Sequence, residues 1–534
     1  MALLAPPTNQ LPYGVGRFSR RWMALIGGLF AVVVFGFIAY ITQLRGGLAV
    51  TGMRNIGPMG GATWALYVTF IIFFVGLSFA GITVAALIRL ARIDTMRPVA
   101  RMAELLTVVS LIVAAMVVMA DIGRPIQAIV NLFKYARPQS PFFGTFTLVI
   151  SGYLFASAVY LYLDGRRDAA VCAKVPGRLQ RFHRIWAAGY QDTPEERSRH
   201  HRVTGWLAIA IIPLLITAHS TLGFVFGLQV SRPGWHSALQ APAFVVLAGT
   251  SGIGMLLVIA AVMRRGLPSG DQLREEIFTW LSRALAILVL VYIYFVAVEL
   301  LTTIYAGAER ERAFTEAIIT GQFAWIFWLS MAALLGTLVV LAVQRGRPGI
   351  SLGWLITAGL LVQVAAIGKR FLVVVPSQTD GTLLPYGQGS YSPTWVEIAI
   401  ILGLVALGTL LYTGFVHIFP IIEIPHDDDA VVRAPKRAKA AVRAPKRATP
   451  DAPGRDRTVT IISIAMVVVG FTLQIVSYLA LAAPLGTSTT AADSDPRLPF
   501  APVIFILGVV LVFLAAVVYE LLPQRLARRR AVQA

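Results

Sequence analysis

His219 and Glu299 sit in apolar stretches, ITAHSTLGF and YFVAVELLTT, where an ionisable side chain is costly to keep. Within a membrane-length segment such a group costs a few kcal/mol, so its retention points to a task. Imidazole and carboxylate are proton acceptors of moderate basicity. Held at one depth in lipid, they suit a lipid-soluble molecule that surrenders hydrogen. Asp121 and Arg124 close a third apolar stretch in the run D-I-G-R-P. They either cap a helix end as an ion pair or contact a ligand oxygen. His236 follows in R-P-G-W-H, while Tyr67, Phe224 and Tyr305 either flank an aromatic ring or simply pack. Lys369, Arg370 and Glu397 read as interface anchors or as partners of one another. Glu104, His417 and Glu423 fall at the opposite side of the membrane, with little between the two groups beyond Ser, Thr, Tyr and Gln363 to carry protons. The opposite depths of His219 and His417 argue against a haem held between them, because its two ligands must share one depth. The lone Cys172 excludes a protein-borne iron–sulfur cluster, a C-x-x-C-H haem attachment and a disulfide.

Positioning these residues requires elements that cross a bilayer. Of 534 residues, 57% are hydrophobic and only 13% charged, against about a quarter charged in soluble proteins. Twelve apolar runs of spanning length occur near residues 22–44, 62–88, 102–120, 142–163, 204–228, 241–263, 280–305, 322–343, 350–371, 395–419, 458–482 and 500–522. Lipid offers the backbone no hydrogen bonds, so each run is expected to be helical. The expected fold is an all-α polytopic membrane protein of about twelve transmembrane helices.

The net charge of +20 follows topology rather than nucleic acid. Alternate gaps and the two tails hold 34 Lys and Arg, the intervening gaps 9, and 3 lie in or at the ends of helices. The positive-inside rule then puts both termini in the cytoplasm. His219, 15 residues into a helix that enters from that side, lies about 22 Å across a core of about 30 Å. Glu299, 19 residues past Trp280, reaches the outer edge by the same arithmetic. Met1 to Gln10 carry no charge and the first apolar run has full spanning length, so no cleaved signal is expected. The chain divides into a ten-helix membrane domain (1–425), a basic cytoplasmic linker (426–457) and an appended hairpin with a basic tail (458–534). The linker repeats VRAPKRA at 432–438 and 442–448 and is expected to be a disordered spacer, either solvated or lying on anionic lipid. Loop 164–203 should carry an amphipathic piece from Arg178 to Tyr190. The outer loops 121–141 and 376–394, with their Pro and aromatic residues, suit a docking partner.

A quinol fits the outer polar group chemically. It loses two protons with two electrons, so its hydroxyls need acceptors such as His219 with Glu299 or Asp121. The stretches TGMRNIGPMGGATWALYVTFIIFFVGLSFAG, RPVARMAELLTVVSLIVAAMVVMADIGRP, ITAHSTLGFVFGLQVSRPGWHSALQAPAF, YFVAVELLTTIY and GKRFLVVVPSQTDGTLLPYGQGSYSPTWVEIAI together resemble the NrfD/PsrC family over about residues 12–425. That family comprises quinone-binding membrane subunits of polysulfide-reductase-type complexes and of alternative complex III. The D-x-G-R-P, R-P-G-W-H and S-P-T-W-x-E landmarks, in that order, are the specific part.

The resemblance implies two four-helix bundles with flanking helices in a bacterial cytoplasmic membrane. It also implies menaquinone or ubiquinone as substrate near the extracytoplasmic face, no redox metal in the chain, and other membrane subunits as neighbours. Electrons would pass to or from an extracytoplasmic iron–sulfur subunit joined to a molybdopterin or multihaem cytochrome subunit. Members from alternative complex III often carry His where Asp121 stands and Asp near Thr145, so a proton route patterned on that complex is not transferred. The expected site is His219, Asp121 and Glu299 as proton partners, with Arg124, Tyr67, Phe224, His236 and Tyr305 around the ring. The alternatives are a proton-coupled secondary transporter, for which Pro213 has no matching helix break in a second half, and a non-catalytic anchor.

Overall fold

The computed structural model describes residues 11–55, 64–91, 93–135, 152–230, 232–379, 389–424, 455–477, 479 and 501–533. Its regular elements are helices: α1 (Arg20–Gly46), α2 (Leu66–Leu90), α3 (Arg97–Asp121), α4 (Pro125–Tyr135), α5 (Leu154–Cys172), α6 (Gln180–Ala187), α7 (Pro194–Gly227), α8 (Gln240–Gly266), α9 (Glu275–Ala306), α10 (Glu309–Ile319), α11 (Ala324–Arg345), α12 (Leu352–Thr379), α13 (Trp395–Ile418), α14 (Arg455–Val476) and α15 (Ala501–Gln533), with short 3-10 turns between. All but α4, α5, α6 and α10 are long and apolar enough to cross a membrane, giving eleven such spans among the described residues. The chain is an all-α, multi-pass membrane protein. Most of the expected linker and the first part of the expected fourth span lie outside the described residues.

Several boundaries differ from the sequence expectation, each for a local reason. Composition ends the fourth span at 163, yet α5 continues to Cys172. Asp164 and Asp168 stand one turn apart on it and are taken up by Arg89 of α2 and Arg101 of α3, so the charged turn stays buried. The next span begins at Pro194 rather than 204. There Thr193 Oγ1 accepts from the Glu196 N–H at 3.2 Å and Glu196 Oε2 from the Thr193 N–H at 3.3 Å, a capping box with proline at the first helical position. The amphipathic piece expected from Arg178 to Tyr190 is the short α6, whose Phe182 and Trp186 pack toward Phe419. Within the expected loop 121–141 stands helix α4, whose Ile126 is 80% exposed; residues 136–141 lie outside the described residues.

Helices α2, α3 and α8 form the buried centre, while α1, α9 and α14 keep most of their apolar surface outward, as lipid contact requires. Hydrophobicity cannot drive helix association in lipid, so close packing does. At the α1–α13 crossing a Cβ on Gly36 would stand 2.8 Å from Gly403 Cα and from the Ala399 carbonyl, so the two backbones touch through glycine.

One end of the bundle holds a buried ionic cluster. Arg101, 1% exposed, bonds Asp168, Asp164 (3.2 Å) and the Pro420 carbonyl (3.0 Å). Burial, and then the Asp164 and Asp168 carboxylates, push the Glu423 carboxyl up to about 7. Beside this cluster the appended hairpin α14–α15 is fastened: Glu520 of α15 accepts from Arg166 at 2.5 Å and lies 3.2 Å from His200 Nδ1, all three buried.

Two outcomes are expected. Replacing Glu520 by Ala removes a buried carboxylate that bonds both Arg166 and His200, costing about 3–5 kcal/mol, and should lower the thermal midpoint of the purified protein in detergent; an unchanged midpoint would refute the clasp. For Glu423, a folded-state pKa raised from 4.5 to about 7 means its stabilisation is complete below 4.5 and lost as pH rises through 7. The thermal midpoint should therefore fall across that window, and less steeply in Glu423→Gln.

Candidate functional site

Two polar groupings lie toward the other end of the bundle. The first surrounds a cavity of about 90 Å³ between α2, α7, α8, α9, α10, α11 and α12. His219 from α7, Tyr292 and Glu299 from α9, and Lys369 and Arg370 from α12 all line it, among apolar and aromatic side chains such as Phe244 and Phe327. His219 and Glu299, 80 positions apart in the chain, thus line one cavity.

His219 is 1% exposed, with Nδ1 2.9 Å from the Leu215 carbonyl and Nε2 2.9 Å from the Val75 carbonyl. A neutral imidazole has one N–H, so only the doubly protonated ring can donate to both. The Glu299 carboxylate has neither a hydrogen bond nor an ion pair to the described residues and is available to a ligand. Arg370, 2% exposed, donates to Ser251 Oγ and to the Ala366 carbonyl, each at 3.2 Å, and lies over Phe73 at 5.6 Å. Its guanidinium occupies the space a side chain at position 76 would need, since a Cβ on Gly76 would collide with it. Lys369, 8% exposed, stands 5.5 Å from the centre of the Phe327 ring.

The loop between α7 and α8 roofs this cavity. Gly234 takes a left-handed φ of +74°, which favours glycine, and its N–H donates to Glu311 of α10 at 2.9 Å. Trp235 turns inward, 3% exposed, donating to the Val373 carbonyl at 2.6 Å and stacking on Trp64 at 5.7 Å. The R-P-G-W landmark therefore shapes the roof through Gly234 and Trp235, while His236 beside them is exposed.

The second grouping joins α1, α2, α3 and α13. Gln43 donates to the Ala120 carbonyl at 2.6 Å and Tyr40 to that of Met119 at 3.2 Å, satisfying the last turn of α3. Tyr67 donates to Gln43 at 2.5 Å. One carboxylate oxygen of Asp121 is buried here without a partner among the described residues. Glu397 accepts from Tyr391 at 2.6 Å, the Gly52 N–H at 2.7 Å and the Thr394 N–H at 2.9 Å. The S-P-T-W-x-E landmark is thus the capping box of α13 and a tie between two loops.

The expected single site is therefore divided. Asp121 and Tyr67 belong to the second grouping and do not line the cavity of His219 and Glu299. Arg124 is exposed, as is Phe224 at 40%, and Tyr305 is 87% exposed on the rim of α9, so these three line neither. Helical phase explains Tyr305, which points away from the face that carries Glu299. Lys369 and Arg370 are corrected in the other direction. Expected as interface anchors or partners of Glu397, they face inward, and Glu397 bonds elsewhere. Their place six and seven residues after Gln363, in a helix with no other charge, was the available signal.

Between the cavity and the ionic cluster lie Ser78, Thr107 and Tyr153. Tyr153 and Thr107 donate to the Ser78 carbonyl at 2.7 and 2.9 Å, and Ser78 to the Val75 carbonyl at 2.6 Å. Each hydroxyl ends on a main-chain carbonyl, so this row is not by itself a proton wire. Glu104, fully buried, follows with both oxygens unbonded among the described residues.

The family model for polysulphide reductase, NrfD, matches residues 54–380. This chain belongs to the NrfD family. Among its relatives, a chain from Halobacterium salinarum named as a membrane subunit of dimethyl sulfoxide reductase is 28% identical over 76% of this chain and 92% of its own length. The Hdr-like menaquinol oxidoreductase integral membrane subunit of Archaeoglobus fulgidus is 26% identical over 76% and 94%. A selenate reductase subunit of Mesobacillus selenatarsenatis is 24% identical over 73% and 92%. The cavity residues fall within the matched region, whereas α13 and the hairpin α14–α15 lie beyond it.

In Gly76→Leu the added side chain should enter the cavity and displace Arg370 while the protein remains assembled in the membrane. Size-exclusion elution should be unchanged, and binding of naphthoquinones to the purified protein should be lost; retained binding would place the ligand elsewhere.

Proposed function

We propose that this chain is the quinone-reactive membrane subunit of an oxidoreductase complex, with the ring bound in the cavity of His219, Glu299, Lys369 and Arg370. The observation that carries the reading is the meeting of an unbonded carboxylate, an imidazole and two cations in one apolar-walled cavity of an NrfD-family chain. Three relatives carry names of reductase or menaquinol oxidoreductase subunits, which supports it.

The chemistry follows from the balance of a quinol, which yields a quinone, two electrons and two protons. Glu299 is the open acceptor for the first proton. His219 is the second, because an added proton lets both ring nitrogens donate to the carbonyls they already face. The electrons leave to an iron–sulfur partner docked over the cavity end, in turn joined to a molybdopterin or multihaem subunit. The positive-inside distribution puts that end on the extracytoplasmic side of a bacterial cytoplasmic membrane, with both termini inside. The substrate is menaquinone or ubiquinone. Proton translocation would need water to join the hydroxyl row to Glu104, and Asp121 would serve a proton route rather than the ring.

Lipid extraction of the purified complex should yield roughly one quinone per complex, whereas a transporter or a bare anchor predicts none. Glu299→Gln and His219→Ala should each lower quinone-linked electron transfer by about 10²-fold or more with the complex intact. Full turnover in both variants would remove the site from this cavity.

A further inference from the structure

Among the described residues, the two cations of the cavity have no carboxylate in contact with them. Lys369 and Arg370 are both more than nine-tenths buried, and among the described residues neither has a carboxylate within 4 Å. Their contacts are aromatic faces, a serine hydroxyl and a helix carbonyl, all uncharged. Glu299 is the cavity's one unengaged carboxylate among the described residues, and Glu311 at the rim is held by the Gly234 N–H. A buried cation without a counter-charge is costly, and an apolar surround strengthens its attraction for any anion that enters.

We propose that the cavity binds its quinone-type ligand as an anion, with Lys369 and Arg370 as counter-charges to a deprotonated ring oxygen. The inference rests on the quinone reading above and adds the ionic form that the site selects. On entry of a neutral quinol, one O–H bond breaks and its proton passes to the Glu299 carboxylate. The electron pair of that bond stays on the ring oxygen, giving a quinolate monoanion, and no electron leaves the ring. Glu299 loses its negative charge as the ligand gains one, so the total charge of the cavity is unchanged and moves closer to the two cations. Lys369 and Arg370 are thereby substrate-binding residues that set specificity for the ionised ring.

The test compares two probes of equal ring size on the purified complex: a naphthoquinone with an acidic ring hydroxyl, ionised at neutral pH, and the parent naphthoquinone, which carries no charge. Dissociation constants are read by fluorescence quenching. The ionisation of the bound hydroxynaphthoquinone is followed by its visible absorption band. The expected result is a preference of about tenfold or more for the ionised probe and an apparent pKa of the bound hydroxyl at least about one unit below its value in water. Lys369→Met and Arg370→Met should each reduce that preference by about tenfold, the ionised probe losing more affinity than the neutral one, and Lys369→Arg should restore it. Equal binding of both probes by the wild-type complex, or an undiminished preference in both Met variants, overturns the inference while leaving the quinone site standing. If neither probe binds, the quinone reading falls and takes this inference with it.

Discussion

A charge within a bilayer must be met by protein, because lipid has no dipoles to offer it. That constraint arranges the polar residues of this chain. Arg89, Arg101, Asp164 and Asp168 neutralise one another at one end, and Arg166, Glu520 and His200 do so beside them. At the other end, Glu397 is saturated by two hydroxyls and two N–H groups. Lys369, Arg370 and Glu299 stand apart because their needs are met only in part. A site for chemistry is legible here as the place where the pairing rule is left incomplete.

The same rule separates structural from chemical roles among the family landmarks. Glu397 caps its helix and ties two loops; Gly234 and Trp235 shape the roof; Pro125 starts α4 after the turn that follows Asp121. These residues build the frame around the cavity. The groups open to a ligand lie elsewhere, on the inner faces of α9 and α12.

The hairpin α14–α15 lies beyond the family match, yet it is joined to the domain through a buried ion pair rather than through lipid-facing packing alone. Arg166 and His200 sit on α5 and α7, so the Glu520 carboxylate reaches them only when α15 is docked. The hairpin is part of the fold's electrostatic balance.

The nature of the spans, and the places of eleven of the twelve expected, were readable from sequence because each is a local property: about 20 apolar residues commit a segment to the membrane as helix regardless of its neighbours. Depth was readable for the same reason, since rise per residue is fixed, and it placed His219 and Glu299 in the same outer half. Helix ends at Cys172 and Pro194 were less so, because a charged turn stays helical only when distant arginines accept it or a capping box closes it. Which residues at one level share a cavity was decided by the tertiary structure alone. Helix rotation and neighbour choice turned Lys369 and Arg370 inward, turned Tyr305 out, and set Asp121 and Tyr67 apart with Gln43. Those outcomes depend on packing between segments hundreds of residues apart, to which local pattern is blind.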